Sequence, residues 1–134
     1  MIAQLPWLEL SLLSRSPSEV RVWVEPAEAL LAVAETADTP TSRTQGLLGR
    51  DSLAPGHGVI LDPCRLIHTF FMRFAIDVVF VDRHQRVTRV ARDVPPFRFA
   101  WGGWSARATL ELPAGTLARV PVAPGAQLRL ERVP

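Results

Sequence analysis

The chain contains no lysine, no tyrosine and no asparagine, and Cys64 is its single cysteine. One cysteine cannot form a disulfide within the chain. Since lysine is missing, the 15 cationic side chains are all arginine, and they are scattered along the sequence without a run that resembles a nucleic-acid-binding stripe. We therefore expect no binding to nucleic acid.

Long apolar runs are also missing. No window approaches the roughly 18 uninterrupted apolar residues that a membrane-spanning helix needs. The first 15 residues have no basic side chain before their apolar part, include Pro6 and Glu9, and lack a small-residue cleavage site, which is atypical of a signal peptide. These observations predict a cytoplasmic protein with no membrane association.

What the chain does contain is typical of a small globular protein. Hydrophobic residues make up 48% of the 134 residues, charged residues make up 21%, and the formal net charge is +2. A chain of this length is expected to fold as one domain over residues 1–134 and to bury roughly two-thirds of its unfolded surface.

Most of the sequence reads as short strands separated by turn-forming residues. Alternating or β-branched apolar runs predict strands at 7–13, 20–25, 59–61, 76–82, 86–91, 106–112 and 127–133. The polar residues 83–85 predict a tight turn between the fourth and fifth of these strands. Residues 27–35 are ambiguous, because their composition favours a helix while their short span allows a strand.

Two segments carry helix signals. Thr39 and Pro40 have the character of an N-cap and a first helical residue, and Gly49 is a C-terminal stop, which together predict a helix at about 40–48. Residues 116–120 allow one further helical turn. The sequence thus predicts a mostly β (α+β) fold, a small antiparallel barrel or rolled sheet with one or two short helices.

The most apolar stretch, residues 67–82, includes four polar groups: His68, Thr69, Arg73 and Asp77. A carboxylate within an apolar strand must be hydrogen-bonded or paired with a cation. Asp77 is therefore either a structural carboxylate, bound to backbone amides or to an arginine, or a ligand-binding or catalytic group. We hypothesise that Asp77 is ionised and bound to an arginine, with Arg43 as the first choice and Arg73 as the second.

The other candidate residues also have two interpretations each. His68 and Thr69 either satisfy buried backbone groups or belong to a site. Glu111 lies on the opposite face of its strand from two leucines, which predicts exposure to solvent, although its position next to a turn suits a site residue. The aromatic segment 97–104, which includes Arg98, reads as a loop that serves either as a ligand lid or as a hydrophobic flap.

The sequence has no metal-binding pattern that we recognise. A zinc site built from His57, Cys64 and His68 would need a fourth ligand, and the spacing matches no familiar ligand motif. Cys64 and His68 would be about 13 Å apart in an extended chain, too far for a thiolate–imidazole pair unless the chain turns between them. We expect neither a metal nor another cofactor.

Four blocks carry a resemblance to a known family. In this order and spacing, RTQGLLGR, CRLIHTFFMRFAIDVVFVD, the loop PPFR and LELPAG resemble the domain of unknown function 192 family, over about residues 29–132. The resemblance implies a β-rich fold, a strand at 29–35 and an N-terminal extension over residues 1–28. It also places several residues of this chain in the family's pattern: Arg43, Gly46, Leu47, Arg50, His68, Thr69, Met72, Arg73, Asp77, Leu110, Glu111 and Gly115. It implies no established activity.

Two functions fit these residues. The first is a binding module in which Arg43, His68, Arg73 and Asp77 line a barrel mouth under the aromatic segment and hold a small polar or anionic ligand or a partner peptide. The second is a hydrolase or lyase that uses His68 with Asp77 or Glu111 as acid and base. No nucleophile elbow, phosphate-binding loop or dinucleotide fingerprint accompanies these groups, which favours the binding module.

The single cysteine and the lack of a ligand cluster generate a prediction about stability. We expect that neither a chelator nor a reductant changes the melting temperature measured by calorimetry. A decrease of several degrees on chelation would contradict this expectation and would point to the site at His57, Cys64 and His68.

Overall fold

In the computed structural model, which describes residues 19–37 and 47–133, nine short strands and one helical turn follow one another along the chain. The strands are β1 (Glu19–Glu25), β2 (Ala29–Ala37), β3 (His57–Leu61), β4 (Leu66–His68), β5 (Ile76–Val81), β6 (Val87–Val94), β7 (Phe99–Trp101), β8 (Ala108–Pro113) and β9 (Gln127–Arg132). Helix α1 (Thr116–Arg119) joins β8 to β9. The strand predicted at 7–13 lies outside the described residues, as does the helix predicted at 40–48 except for its last two residues, which belong to a turn.

Seven of these strands form one rolled sheet in the order β6-β5-β8-β3-β2-β1-β9. β2 and β3 run parallel, and the other neighbouring pairs are antiparallel. The two edge strands approach each other at one end, where a bridge joins Arg86 to Gln127. This contact is too short to close a barrel, so the sheet is rolled but open. β4 and β7 form a separate two-stranded sheet.

The predicted fold class, mostly β with a rolled antiparallel sheet and short helices, is confirmed. β5 and β6 form the predicted hairpin, whose turn is held by an Asp82 oxygen that accepts hydrogen bonds from the amides of His84 and Arg86. The ambiguous stretch near residues 29–35 is strand β2, as the family resemblance implied. One helical turn follows β8, where it was predicted.

The interpretation of residues 97–104 as a loop is wrong for its middle part, which is strand β7. β7 pairs with β4, and that strand was also missed. Each of these strands has three residues, which is too short for an alternation pattern to stand out from its surroundings. The pairing joins segments about 30 residues apart, and no local signal encodes such a contact.

Apolar side chains cover both faces of the rolled sheet. The inner core lies inside the roll, where Val79 and Val81 of β5 pack with residues of β1, β8, β9 and α1. The outer core lies on the opposite face and takes Ile76, Val78 and Phe80 of the same strand. Because successive strand residues point to opposite faces, β5 is buried on both sides. Its apolar run without polar alternation, noted in the sequence, follows from this position.

Residues 63–75 and 95–107, which we call the outer layer, cover part of the outer core. The amide of Gly102 donates to the carbonyl of Arg65 at 2.8 Å, which joins the two segments. Gly102 lies so close to Phe80 that an added Cβ would be 2.4 Å from the ring. Because Phe80 is fully buried and cannot move away, only glycine allows this close approach between layer and sheet.

Asp77 points into the roll and binds backbone amides. One carboxylate oxygen accepts a hydrogen bond from the amide of Asp93 at 2.9 Å, and the other accepts from the amide of Leu117 at 2.8 Å. Arg73 pairs instead with Asp51, at 2.5 Å on the surface, so the predicted alternative of an Asp77–Arg73 pair is wrong. The first-choice partner, Arg43, lies outside the described residues. The prediction failed for Arg73 because two segments distant in sequence supply the donors.

The two amide hydrogen bonds generate a prediction about stability. Asp77→Ala leaves a buried N–H group of Leu117 and a partly buried N–H group of Asp93 without this acceptor, and we expect it to lower the free energy of unfolding in urea by about 3 kcal/mol. Asp77→Asn should cost less, because its single carbonyl oxygen still accepts one of the two bonds.

Asp51→Ala is the matched control, since it removes an aspartate whose ion pair is exposed and should change stability by less than about 1 kcal/mol. Equal stability of Asp77→Ala and Asp51→Ala would show that the two amide hydrogen bonds do not stabilise the fold.

Candidate functional site

The outward face of the β4–β7 sheet is the most distinctive surface of the described structure. Ile67 and Ala100 lie opposite each other in this sheet and pack on the outer core. The neighbouring pair, His68 and Phe99, must therefore point the other way, and both side chains are exposed. The alternation of two short strands thus turns a histidine and a phenylalanine toward solvent.

Five rings form a connected group on this side, which we call the aromatic face: His68, Phe70, Phe71, Phe97 and Phe99. The ring of Phe70 is central, with centroids 5.2 Å from His68, 4.8 Å from Phe99 and 6.0 Å from Phe97. Phe71 contacts Phe97 edge to face at 5.4 Å. Phe71, Phe97 and Phe99 are 75%, 55% and 64% exposed, so much of this apolar area meets water. Contiguous exposed apolar surface of this kind marks interaction sites.

Thr69 holds the two segments under the aromatic face together. It is fully buried, and its hydroxyl donates to the carbonyl of Pro95 at 2.6 Å and accepts from the amide of Arg98 at 2.9 Å. Its carbonyl also accepts a hydrogen bond from the amide of Phe97. Of the two interpretations of Thr69, the structure supports the one in which it satisfies buried backbone groups.

The surroundings of the aromatic face are cationic. Residues 63–75 and 95–107 include Arg65, Arg73, Arg98 and Arg107 but no aspartate or glutamate. Two of these cations have acidic partners outside the layer: Arg73 contacts Asp51, and Arg107 contacts Asp62. Arg65 and Arg98 are exposed and form no ion pair within the described residues. The outer layer therefore combines aromatic surface with positive charge.

Both strands beneath the aromatic face have an open edge. β4 and β7 pair only with each other within the described residues, so one side of each strand is not covered by a neighbouring strand. Unpaired strand edges present backbone N–H and C=O groups that can pair with an added strand.

The structure distributes the predicted site residues over several places. His68, Thr69 and Arg98 lie together in the outer layer, and Arg73 lies at its margin. Asp77 faces the inside of the roll, and Arg43 is outside the described residues. His68 has no contact with either Asp77 or Glu111, and its Nδ1 accepts a hydrogen bond from the amide of Phe70 at 3.3 Å. The expected barrel mouth with Asp77 in its lining is thus wrong, because alternation along β5 turns this side chain away from the outer layer.

Glu111 is buried, contrary to the expected exposure. It lies on the outer-core face of β8 between Val59 and Val78, and its exposed fraction is 6%. The expectation failed because it assumed a solvent-facing side, whereas both faces of the sheet are covered here.

An ion pair lies on the same side of the sheet as Glu111. Glu35 of β2 is in register with Val59, and its carboxylate pairs with Arg50 at 3.4 Å. Burial raises the pKa of Glu111 from 4.5 to about 7, while the charge of Arg50 opposes this increase. Within the described residues the Glu111 carboxyl has no hydrogen-bond partner.

Neither a metal site nor a membrane helix is found in the described part of the chain. No group of three or more histidine, cysteine, aspartate or glutamate side chains there is arranged to hold a metal ion. The thiol of Cys64 donates to the carbonyl of Leu66 at 3.3 Å. Among residues 19–37 and 47–133, no helix is long and apolar enough to cross a membrane.

Comparison with known proteins identifies the family. The sequence profile of domain of unknown function 192, a family described as uncharacterized ACR, matches residues 22–130. The chain belongs to this family. The match begins inside β1 and ends inside β9, so it spans all seven strands of the rolled sheet. No functionally curated protein matches the chain.

Two solved structures share the fold. A putative transcription regulator from Sinorhizobium meliloti 1021 is 24% identical, with a TM-score of 0.73 over 88% of this chain and 96% of its own. A protein of unknown function from Novosphingobium aromaticivorans DSM 12444 is 23% identical, with a TM-score of 0.72 over 86% of this chain and 93% of its own. At this level of sequence identity, the similarity shows a shared fold alone.

Some residues of the aromatic face and its surroundings were not proposed as site residues from the sequence. From the sequence, Phe71 belongs to an apolar stretch and Phe99 to a predicted loop, although both are among the most exposed apolar side chains. One signal was available: two segments about 30 residues apart are rich in arginine and aromatics and contain no acidic residue. That signal indicates a shared surface only when the two segments are known to pair.

The buried Glu111 generates a prediction about pH. Between pH 4.5 and about 7 the unfolded chain has lost this proton while the folded protein retains it, so stability falls as pH rises. Over this whole pH interval the free energy of unfolding decreases by about 3 kcal/mol. Glutamine resembles the protonated carboxyl, so Glu111→Gln should be more stable than the natural protein by about this amount at pH 8 and about equally stable at pH 4.

Urea unfolding between pH 4 and 8 measures this effect. Glu35→Gln is the control, because it removes an exposed carboxylate of the same region and should leave the slope with pH in place. If stability decreases with pH as steeply in Glu111→Gln as in the natural protein, the pH dependence does not come from Glu111.

Proposed function

We propose that the protein is a binding module that docks an extended, acidic segment of a partner protein on the aromatic face. The observation that carries this proposal is the group of five connected rings, largely exposed, on a layer with four arginines and no acidic residue. Apolar area contributes affinity in such a contact, and complementary charge selects the partner and increases the rate of association.

The open edges of β4 and β7 indicate the form of the partner. An extended peptide that adds a strand to a sheet edge gains main-chain hydrogen bonds, and its alternate side chains reach the surface of the sheet. On this protein those side chains would meet Leu66 and His68 beside β4, or Phe99 beside β7. Apolar residues at every second position of the segment fit that arrangement, with aspartate or glutamate between them facing Arg65 and Arg98.

Two other occupants fit less well. A second copy of this chain would bring one cationic layer against another, which repulsion disfavours. Single-stranded nucleic acid also binds aromatic and arginine-rich surfaces through base stacking. An open strand edge, however, offers donors and acceptors in the register of a peptide backbone, which favours a protein segment.

A designed peptide tests the proposal. The probe is a synthetic peptide that alternates leucine or phenylalanine with glutamate, and its partner probe has lysine in place of every glutamate. We expect the acidic peptide to bind and to shift the amide NMR signals of β4 and β7, and we expect the basic peptide to bind at least about tenfold more weakly.

Phe99→Ala should weaken binding of the acidic peptide about tenfold, because it removes an exposed ring that packs on the central ring of Phe70. Leu30→Ala is the matched control, an exposed apolar residue of β2 outside the outer layer. Three results would overturn the proposal: equal binding of the two peptides, equal effects of Phe99→Ala and Leu30→Ala, or tighter binding of oligouridylate than of the acidic peptide.

A further inference from the structure

A second candidate site lies beyond the aromatic face, where the turn of the β5–β6 hairpin meets the end of the outer layer. It is an open depression of about 480 Å³, a volume within the range of small-molecule sites. Its lining includes Arg65, Arg83, His84, Trp104, Ser105 and Arg107. None of these residues is one of the five rings of the aromatic face, and Arg65 is the residue that the depression shares with the proposed docking surface.

The depression carries an excess of positive charge. Three guanidinium groups line it, from Arg65, Arg83 and Arg107. Asp82 is the carboxylate of the lining, and one of its oxygens already accepts hydrogen bonds from the amides of His84 at 2.8 Å and Arg86 at 3.1 Å. Asp82 thus holds the hairpin turn, and Arg107 is paired with Asp62. Arg65 and Arg83 are exposed and form no ion pair within the described residues, although the Nε of Arg83 donates to Nε2 of His84 at 3.4 Å.

The side chain of Arg107 is held by a contact with a buried aspartate. Its Nε donates to an oxygen of Asp62 at 2.9 Å, and Asp62 is buried. This contact restrains the guanidinium and occupies one of its nitrogens, and no hydrogen bond from the other two nitrogens is found within the described residues. The two parallel N–H donors of these nitrogens match the oxygens of a phosphate or a carboxylate.

Trp104 adds an aromatic wall. Its side chain is 82% exposed, and Trp101 supports it edge to face with ring centroids 5.0 Å apart. Tryptophan left this exposed has a free π face on which a planar group can stack. An anion site with a supported indole beside it is suited to a ligand that has both a charged end and a flat ring.

We propose that this depression binds a phosphate-bearing ligand with a planar ring, of the mononucleotide class. Arg65, Arg83 and Arg107 can donate together to the three free oxygens of a phosphate monoester, whereas a carboxylate has only two oxygens. A phosphate monoester also carries close to two negative charges at neutral pH. The phosphate lies between Arg65, Arg83 and Arg107, and the ring stacks on Trp104. This inference does not depend on the docking function proposed for the aromatic face.

Calorimetric titration of the full chain tests the inference with adenosine 5′-monophosphate as probe. We expect it to bind about tenfold more tightly than inorganic phosphate, which lacks the ring, and than adenosine, which lacks the charge. Benzoate, a flat monoanion, should also bind more weakly. Binding of adenosine 5′-monophosphate no tighter than phosphate or benzoate, or no binding at millimolar concentration, overturns the inference.

Arginine variants locate the site. Arg65→Gln and Arg83→Gln should each weaken binding of adenosine 5′-monophosphate about tenfold, because each removes a charge-assisted hydrogen bond. Arg132→Gln is the matched control: it removes the same charge from an exposed position of β9 and should change affinity by less than about twofold. If all three variants weaken nucleotide binding equally, the effect comes from net charge alone and the proposed site is wrong.

Two aromatic variants separate this inference from the proposed docking function. Trp104→Ala should weaken nucleotide binding about tenfold and leave the indole NMR signal of Trp23, which lies on β1, unmoved. Phe99→Ala should leave the nucleotide affinity unchanged, since its ring belongs to the aromatic face. If Phe99→Ala weakens nucleotide binding as much as Trp104→Ala does, the depression is not independent of the aromatic face.

Discussion

One buried carboxylate joins three parts of the fold. Asp77 of β5 accepts the amide of Asp93 near the end of β6 and the amide of Leu117 in α1. The first bond holds the end of the hairpin, where Asp93 has a left-handed φ of 50°. The second bond holds the helical turn against the inner core, where Leu117 is fully buried. Much of the arrangement of β5, β6 and α1 depends on this single side chain.

The second constraint is that the rolled sheet is buried on both faces. An ordinary antiparallel sheet has one wet face, and polar side chains can occupy alternate positions there. Here the outer layer covers the second face, so Val78 and Phe80 are as buried as Val79. Coverage of this face affects Glu111, because burial raises the pKa of its carboxyl to about 7 and so favours the neutral form.

Coverage of the sheet also explains why aromatic rings and arginines are exposed on the outer layer. The layer uses Ile67, Met72 and Ala106 to cover the outer core, and this leaves its other side free to carry rings and arginines. Its core-facing residues are constrained by packing, whereas its outward residues are free to serve binding. The fold shared with the Sinorhizobium and Novosphingobium proteins therefore provides a scaffold, and the function must be argued from the outer surface.

The sequence by itself determined the mostly β fold, the β5–β6 hairpin and the need of Asp77 for a partner, because strand alternation, turn residues and the cost of burying a charge act locally. The tertiary structure decided the rest. Which groups bind Asp77, which side of β8 is covered, and whether His68 and Phe99 meet all depend on contacts between segments far apart in sequence. Such contacts are set by packing the whole chain, and no short stretch contains them.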